Sequence, residues 1–143
     1  MVCIYCGSST QVTNSRLQKR LNQVWRRRRC SNCENLFTTH ETPELLSSII
    51  FEVAPNSLKP FNRDTLFISI YECCKHRSSA VEDAAALTRT SLSFLLPQVT
   101  KGTLQREQVV ISVLAVLKRF DTAAATMYQA YHPQKPMSQN VLK

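Results

Sequence analysis

Hydrophobic positions are spread unevenly along this chain, and their period changes from one stretch to the next. Residues 46–53, Leu-Ser-Ser-Ile-Ile-Phe-Glu-Val, are rich in β-branched and aromatic side chains and predict a short strand. Pro55-Asn56-Ser57 is a turn signal, and Ser57-Leu58-Lys59 predicts a brief return strand. The period then becomes helical. Leu66, Phe67, Ile70 and Cys74 recur at helical spacing behind Asn62, a capping residue, with Asp64 in the first turn and Lys75 and His76 at the end. Ser79-Ala80-Val81-Glu82 predicts a capping box opening a second helix, whose apolar stripe of Val81, Ala84, Ala85, Leu92 and Leu95 ends before Pro97. Gly102-Thr103 predicts the start of a third helix, with Val110, Val113, Leu114 and Leu117 on one face. Thr122 predicts the cap of a fourth, which runs through Met127, Tyr128 and Tyr131 and stops at His132-Pro133.

The first 42 residues lack such periodicity. They hold few large aliphatic residues around a dense polar middle and cannot assemble a core from their own side chains. A piece of this size usually needs a metal, a disulfide or a partner. The chain of 143 residues, 43% apolar, therefore reads as unequal parts: 1–42, 46–132, and a polar, flexible tail at 133–143. No apolar run reaches the length of a membrane span, and the opening residues lack the pattern of a secretory signal, so neither is expected.

Four of the six cysteines fall where the core is missing. Cys3-x2-Cys6 and Cys30-x2-Cys33, with 23 residues between the pairs, have the spacing of two metal knuckles. Four thiolates satisfy a tetrahedral zinc site and leave no position for water, so one structural Zn2+ per chain is expected rather than a catalytic metal. Disulfides, a redox pair and an iron–sulfur cluster are the alternatives, and a reducing compartment favours zinc over them. Cys73 and Cys74 have no matching pair and read as core thiols, and His40 reads as a surface residue.

Charge sharpens the picture. The chain carries 18 Lys and Arg against 10 Asp and Glu, and the first 42 residues alone carry a net +5 of the total +8. Arg16, Lys19, Arg20 and the run Arg26, Arg27, Arg28 and Arg29 make a cationic stripe on the cysteine module, with Trp25 beside it able to pack or to stack. Such a stripe suits a polyanion, and an Arg can make a bidentate contact to guanine. A solvated basic face, or one that docks an acidic protein, is the alternative. No paired carboxylates, Ser/His/Asp set or open metal site stands out, so no catalytic residue is assigned and an enzyme is not expected. Two glycines in the whole chain exclude a Gly-rich phosphate loop.

Taken together, Cys3-Ile-Tyr-Cys6, Asn14-Ser15-Arg16, Val24-Trp25-Arg26-Arg27-Arg28-Arg29-Cys30-Ser-Asn-Cys33 and Phe37-Thr38-Thr39-His40-Glu41 resemble the bacterial transcriptional repressors that control ribonucleotide reductase genes. The resemblance continues more weakly through Lys59-Pro60-Phe61-Asn62, Leu66 and the segment around Tyr128. It implies a fold: a small β zinc ribbon followed by a mainly α ATP-cone-like domain with a short β-hairpin. It also implies a function, namely a cytoplasmic, nucleoid-associated repressor that binds double-stranded promoter DNA, forms homo-oligomers and responds to ATP or dATP. The departures lie in the cone. Ile49 to Asn56 lacks the cations of the family pattern, and Thr65 stands where a Lys precedes Leu in that pattern, leaving Lys59 and Arg63 as the nucleotide-binding candidates. The competing function is a zinc-ribbon adaptor for nucleic acid or protein whose helical oligomerisation domain binds no nucleotide.

Overall fold

The computed structural model describes residues 1–133. The chain divides into two compact units, Met1–Glu44 and a second that begins at Leu45.

The first unit is a three-stranded antiparallel sheet in the order β1-β2-β3, with β1 Thr10–Gln18, β2 Gln23–Cys30 and β3 Leu36–Glu41. A 3-10 turn at Lys19–Leu21 joins the first two strands, and Asn22 at φ 47° completes it, a conformation Asn tolerates better than most residues. Only Cys3, Cys30 and Phe37 form a buried cluster here, with Cys33 packed against it. The expectation that this unit has almost no apolar core is met.

The second unit is mainly helical. A single turn, α1 (Leu45–Ser48), leads into a hairpin of β4 (Ile50–Ala54) and β5 (Ser57–Pro60). Four helices and one further strand follow: α2 (Arg63–Cys74), α3 (Ala80–Leu95), β6 (Thr103–Gln105), α4 (Arg106–Phe120) and α5 (Thr122–Tyr131). Asn62 caps α2 as its sequence predicts, its Oδ1 accepting from the Asp64 and Thr65 N–H groups at 2.7 and 3.1 Å. Ile70, Leu95, Leu104, Val113 and Leu117 are fully buried, and Cys73 and Cys74 lie in the same core. Burial pushes the Cys73 thiol up to about 11, as befits an inert core residue.

Several local expectations are corrected. Residues 46–48 are helical rather than extended, because the Ile49 N–H closes a turn onto the Leu45 carbonyl at 3.0 Å; the strand begins at Ile50. Gly102-Thr103 does not start a helix. Gly102, at φ 76°, turns the chain so that its carbonyl accepts from the Ile50 N–H at 2.8 Å, and β6 pairs in parallel with β4. The hairpin thereby becomes a mixed sheet in the order β5-β4-β6.

Two helix starts also differ. The Ser79 hydroxyl makes no capping bond and donates instead to Asp83 Oδ2 at 2.7 Å. Val81 is exposed, and the buried stripe of α3 runs through Ala84, Leu87, Thr88, Ser91, Leu92 and Leu95. Asp121, not Thr122, caps α5, accepting from the Ala123 and Ala124 N–H groups at 2.8 and 3.2 Å. The same carboxylate meets His76 at 3.0 Å and Arg77 at 3.2 Å, and Arg77 bridges on to Asp83 at 2.7 Å while lying over the Phe120 ring. The His76 hydrogen bond, backed by the Ala124 N–H, holds the Asp121 carboxyl down to about 2. The tail expected from 133 falls, beyond Pro133, outside the described residues. No helix among the described residues is long and apolar enough to cross a membrane.

Candidate metal centre and nucleic-acid interface

One knuckle, Cys3 to Cys6, precedes β1; the other, Cys30 to Cys33, begins at the last residue of β2. The strand pairing Thr10↔Cys30 draws them together, and the bridge between Val2 and Ser9 closes the first knuckle. The four Sγ atoms lie within 4.8 Å of one another, with Cys3 to Cys33 at 3.7 Å and Cys6 to Cys30 at 3.4 Å. Four thiolates on a zinc ion stand about 3.8 Å apart, from Zn–S bonds of about 2.3 Å in a tetrahedron. The donor set and its spacing therefore fit zinc, and the separations are far beyond a disulfide bond.

Backbone amides prepare the cluster for negative charge. The Tyr5 N–H donates to Cys3 Sγ, and the Asn32 and Cys33 N–H groups donate to Cys30 Sγ, each at 3.4 Å. These last two bonds lower the Cys30 thiol, and hydrogen bonds from Ser8 draw Cys6 down to about 6. Cys33 moves the other way, to about 11: the Asn35 amide favours its thiolate, but burial and the neighbouring sulfurs outweigh it. A thiol set so closely spaced cannot ionise fully by itself, and a divalent cation removes that conflict. Phe37 seals the cluster from one side and meets the Tyr5 ring edge-on at 6.4 Å.

The cations expected to bind nucleic acid are all in this unit. Lys19 and Arg20 sit in the 3-10 turn, Arg16 on β1, and Trp25 through Arg29 on the central strand β2. The Arg16 guanidinium lies 5.9 Å from the Trp25 ring centre, so Trp25 packs against a cation. Arg26 pairs with Glu41 at 2.7 Å and Arg29 with Glu34 at 2.8 Å; Arg27 and Arg28 donate to Thr38 and Thr39, each at 3.2 Å. His40 is exposed, away from the sulfur cluster.

In the helical unit a cavity of about 420 Å³ opens between the hairpin and the helices. Phe51, Val53, Phe61, Leu66, Val109 and Tyr128 give it a largely apolar wall. Of the two nucleotide-binding candidates, Lys59 lines it and Arg63 does not. Arg106 and His132 do line it, and neither stands out from sequence, because Arg106 owes its place to the unexpected β6–α4 junction. His132 Nε2 is 2.8 Å from the Ser69 hydroxyl, its ring packs on Tyr128 at 4.4 Å, and burial together with Arg106 lowers its pKa.

A sheet with paired cysteine knuckles, followed by a helical unit with a small mixed sheet, defines a zinc-ribbon protein of two parts. Comparison with known proteins narrows the class. Residues 1–41 match the family model described as "Transcriptional repressor NrdR-like, N-terminal domain". The NrdR transcriptional repressor of Sphingopyxis alaskensis is 32% identical over 127 residues, 87% of this chain and 79% of that protein. That of Thermus thermophilus is 30% identical over 136 residues, 92% of this chain and 86% of its own length. The chain belongs to the NrdR transcriptional repressor family, whose role is regulatory rather than enzymatic.

Proposed function

We propose that the chain is a zinc-dependent repressor that binds double-stranded promoter DNA of ribonucleotide reductase genes and is controlled by ATP- or dATP-dependent homo-oligomerisation. In this reading Cys3, Cys6, Cys30 and Cys33 hold one Zn2+, which supplies the folding free energy that three buried side chains cannot. The observation that carries it is the convergence of four sulfurs at the end of a strand whose preceding four residues are all Arg. Metal capture thus fixes the backbone of the cationic strand. Arg16, Lys19, Arg20 and Arg26 to Arg29 neutralise phosphates and release counterions, giving affinity that falls steeply with salt. Oligomerisation places several ribbons on one duplex and raises affinity through effective concentration. A protein with this role works in the cytoplasm, at the nucleoid. Electrophoretic mobility shifts with zinc-loaded and chelator-treated protein test the reading: binding that survives complete metal removal would sink it.

Nucleotide control rests on the cavity of the helical unit, with Lys59 and Arg106 as its cations, and Arg63 able to contribute only from outside the lining. The same two-cation lining favours the second reading, an adaptor whose helical domain binds no nucleotide, since a triphosphate is usually met by more positive charge. Titration calorimetry with ATP and dATP, read alongside oligomeric mass, separates them. Heat with a change of mass supports the sensor, and neither supports the adaptor.

A further inference from the structure

The four consecutive arginines share a strand but not a face. Successive side chains on a strand point to opposite sides of the sheet, and directly paired residues on neighbouring strands share a side. The register pairs Trp25 with Arg16, and Arg27 with both Asn14 and Thr38. These residues, with Arg29, therefore occupy one side of the sheet. Arg26 pairs with Thr39 and Arg28 with Phe37, so these arginines lie on the other side, along with Cys30.

The contacts obey the same division. On the first side Arg16 lies over Trp25 and Arg27 donates to Thr38. On the second, Arg26 is paired with Glu41, Arg28 donates to Thr39, and Phe37 is buried against Cys3 and Cys30. That second side is the one on which the sulfur cluster sits. Arg26, Arg27 and Arg28 are all half-buried, and what sets Arg26 apart is that its charge is already met by a carboxylate. Arg16, Arg27 and Arg28 make no ion pair among the described residues, while Arg29, at the end of the first side, meets Glu34.

We propose that the side carrying Arg16, Trp25, Arg27 and Asn14 is the base-reading face of the ribbon, and that Arg27 and Asn14 contact base edges in the major groove while Arg26 and Arg28 read no base. This rests on the reading of the ribbon as a duplex-DNA binder. The major groove admits a β-ribbon, Arg pairs bidentately with guanine O6 and N7, and Asn pairs bidentately with adenine N6 and N7. Arg27 and Asn14 are direct cross-strand neighbours, so their side chains reach adjacent positions on the duplex. Thr38 occupies one Arg27 nitrogen and steadies the guanidinium, leaving its other donors for a base; Trp25 does the same for Arg16 by stacking. Arg26 and Arg28 lie on the metal side of the sheet, where Arg26 meets Glu41 and Arg28 donates to Thr39.

The test uses the full-length, zinc-loaded chain. A randomised duplex library yields the preferred site, and every single-base replacement of that site is then titrated against the wild type and Arg27→Ala, Asn14→Ala, Arg26→Ala and Arg28→Ala. Arg27→Ala should erase discrimination at a guanine, and Asn14→Ala at an adenine, each by roughly 5- to 150-fold, with zinc stoichiometry unchanged. Arg26→Ala and Arg28→Ala should keep the wild-type profile of base preferences. Arg26→Gln, which retains most of the stem and the hydrogen bonding, serves if the Ala variant fails to fold. The assignment is overturned if Arg27→Ala and Asn14→Ala preserve the profile, or if loss of Arg26 or Arg28 flattens it. Failure of the wild type to bind any duplex would overturn the underlying DNA reading instead, an outcome distinct from either.

Discussion

The two units of this chain solve the same folding problem with different means. The ribbon buries three side chains in its cluster, two of them cysteines, whereas the hydrophobic cluster of the helical unit holds twenty among the described residues. Every stripe of the helical unit faces another stripe: α2 packs on α3 and α5, and α4 on α3 and α5. The ribbon has no second layer of apolar side chains, and its first two strands carry cations and polar residues beside Val12, Leu17, Val24 and Trp25, none of which is fully buried. A sheet so composed is free to present charge outward because its cohesion comes from a metal centre at one end rather than from a buried face. Binding surface and core compete for the same side chains in a small domain, and a metal relieves that competition.

Metal removal should separate the two units most sharply. Structural zinc contributes about 10–16 kcal/mol of binding free energy in small modules, so a chelator should unfold residues 1–44 and leave the second unit intact. Amide spectra should show collapse of the ribbon resonances alone. Simultaneous loss of the helical resonances would mean that the two units do not fold independently. Cys30→Ser should reproduce the chelator.

Salt should act on the ribbon's binding and not on the body's stability. If six or more phosphates are contacted, DNA affinity should fall by about 10³ or more between about 50 and 200 mM salt, with the helical melting transition unmoved. Fluorescence anisotropy across that range, with circular dichroism melts in the same buffers, measures both.

The converse lesion is Ile70→Ala, at a fully buried position of α2. It should cost about 2–5 kcal/mol in the helical unit while zinc stoichiometry stays at one. Denaturant titration followed by helical signal gives the first number, and metal analysis the second.

Acid should produce the smallest and most ordered separation. The Asp121 carboxyl is held down to about 2, chiefly by His76, against about 3.9 in an unfolded chain. A folded-state value below the unfolded one means a contribution fully present above about pH 4 and lost as pH falls towards 2. The ribbon needs thiolates for its metal and should fail at higher pH than this step. Asp121→Asn, which keeps a capping residue, should remove the low-pH dependence of helical stability; an unchanged acid titration would exclude the Asp121 cluster as its source.

How much of this was readable from sequence follows from the range of each interaction. The cysteine spacing, the hairpin at 50–60, the Asn62 cap and the stripes of α2 and α4 are local patterns, and the structure keeps them. The strand β6 is not local. Thr103 extends because Ile50, more than fifty residues earlier, offers its edge in parallel, and that pairing places Arg106 at the cavity. The Ser79 box fails because Arg77 claims Asp83, to which the Ser79 hydroxyl then donates. The sidedness of the arginine run was hidden for another reason: four identical residues carry no inward–outward alternation. Only the partners, Glu41 and Thr39 against Thr38, divide them.

The placement of the four sulfurs also orders events during synthesis. All of them are supplied within the first 33 residues and β3 ends at Glu41, so the ribbon can close on its metal while most of the chain is still being made. The helical core joins Ile49 to Tyr128 and cannot close until its last helix emerges. The cationic head can therefore fold before the helical body closes its core.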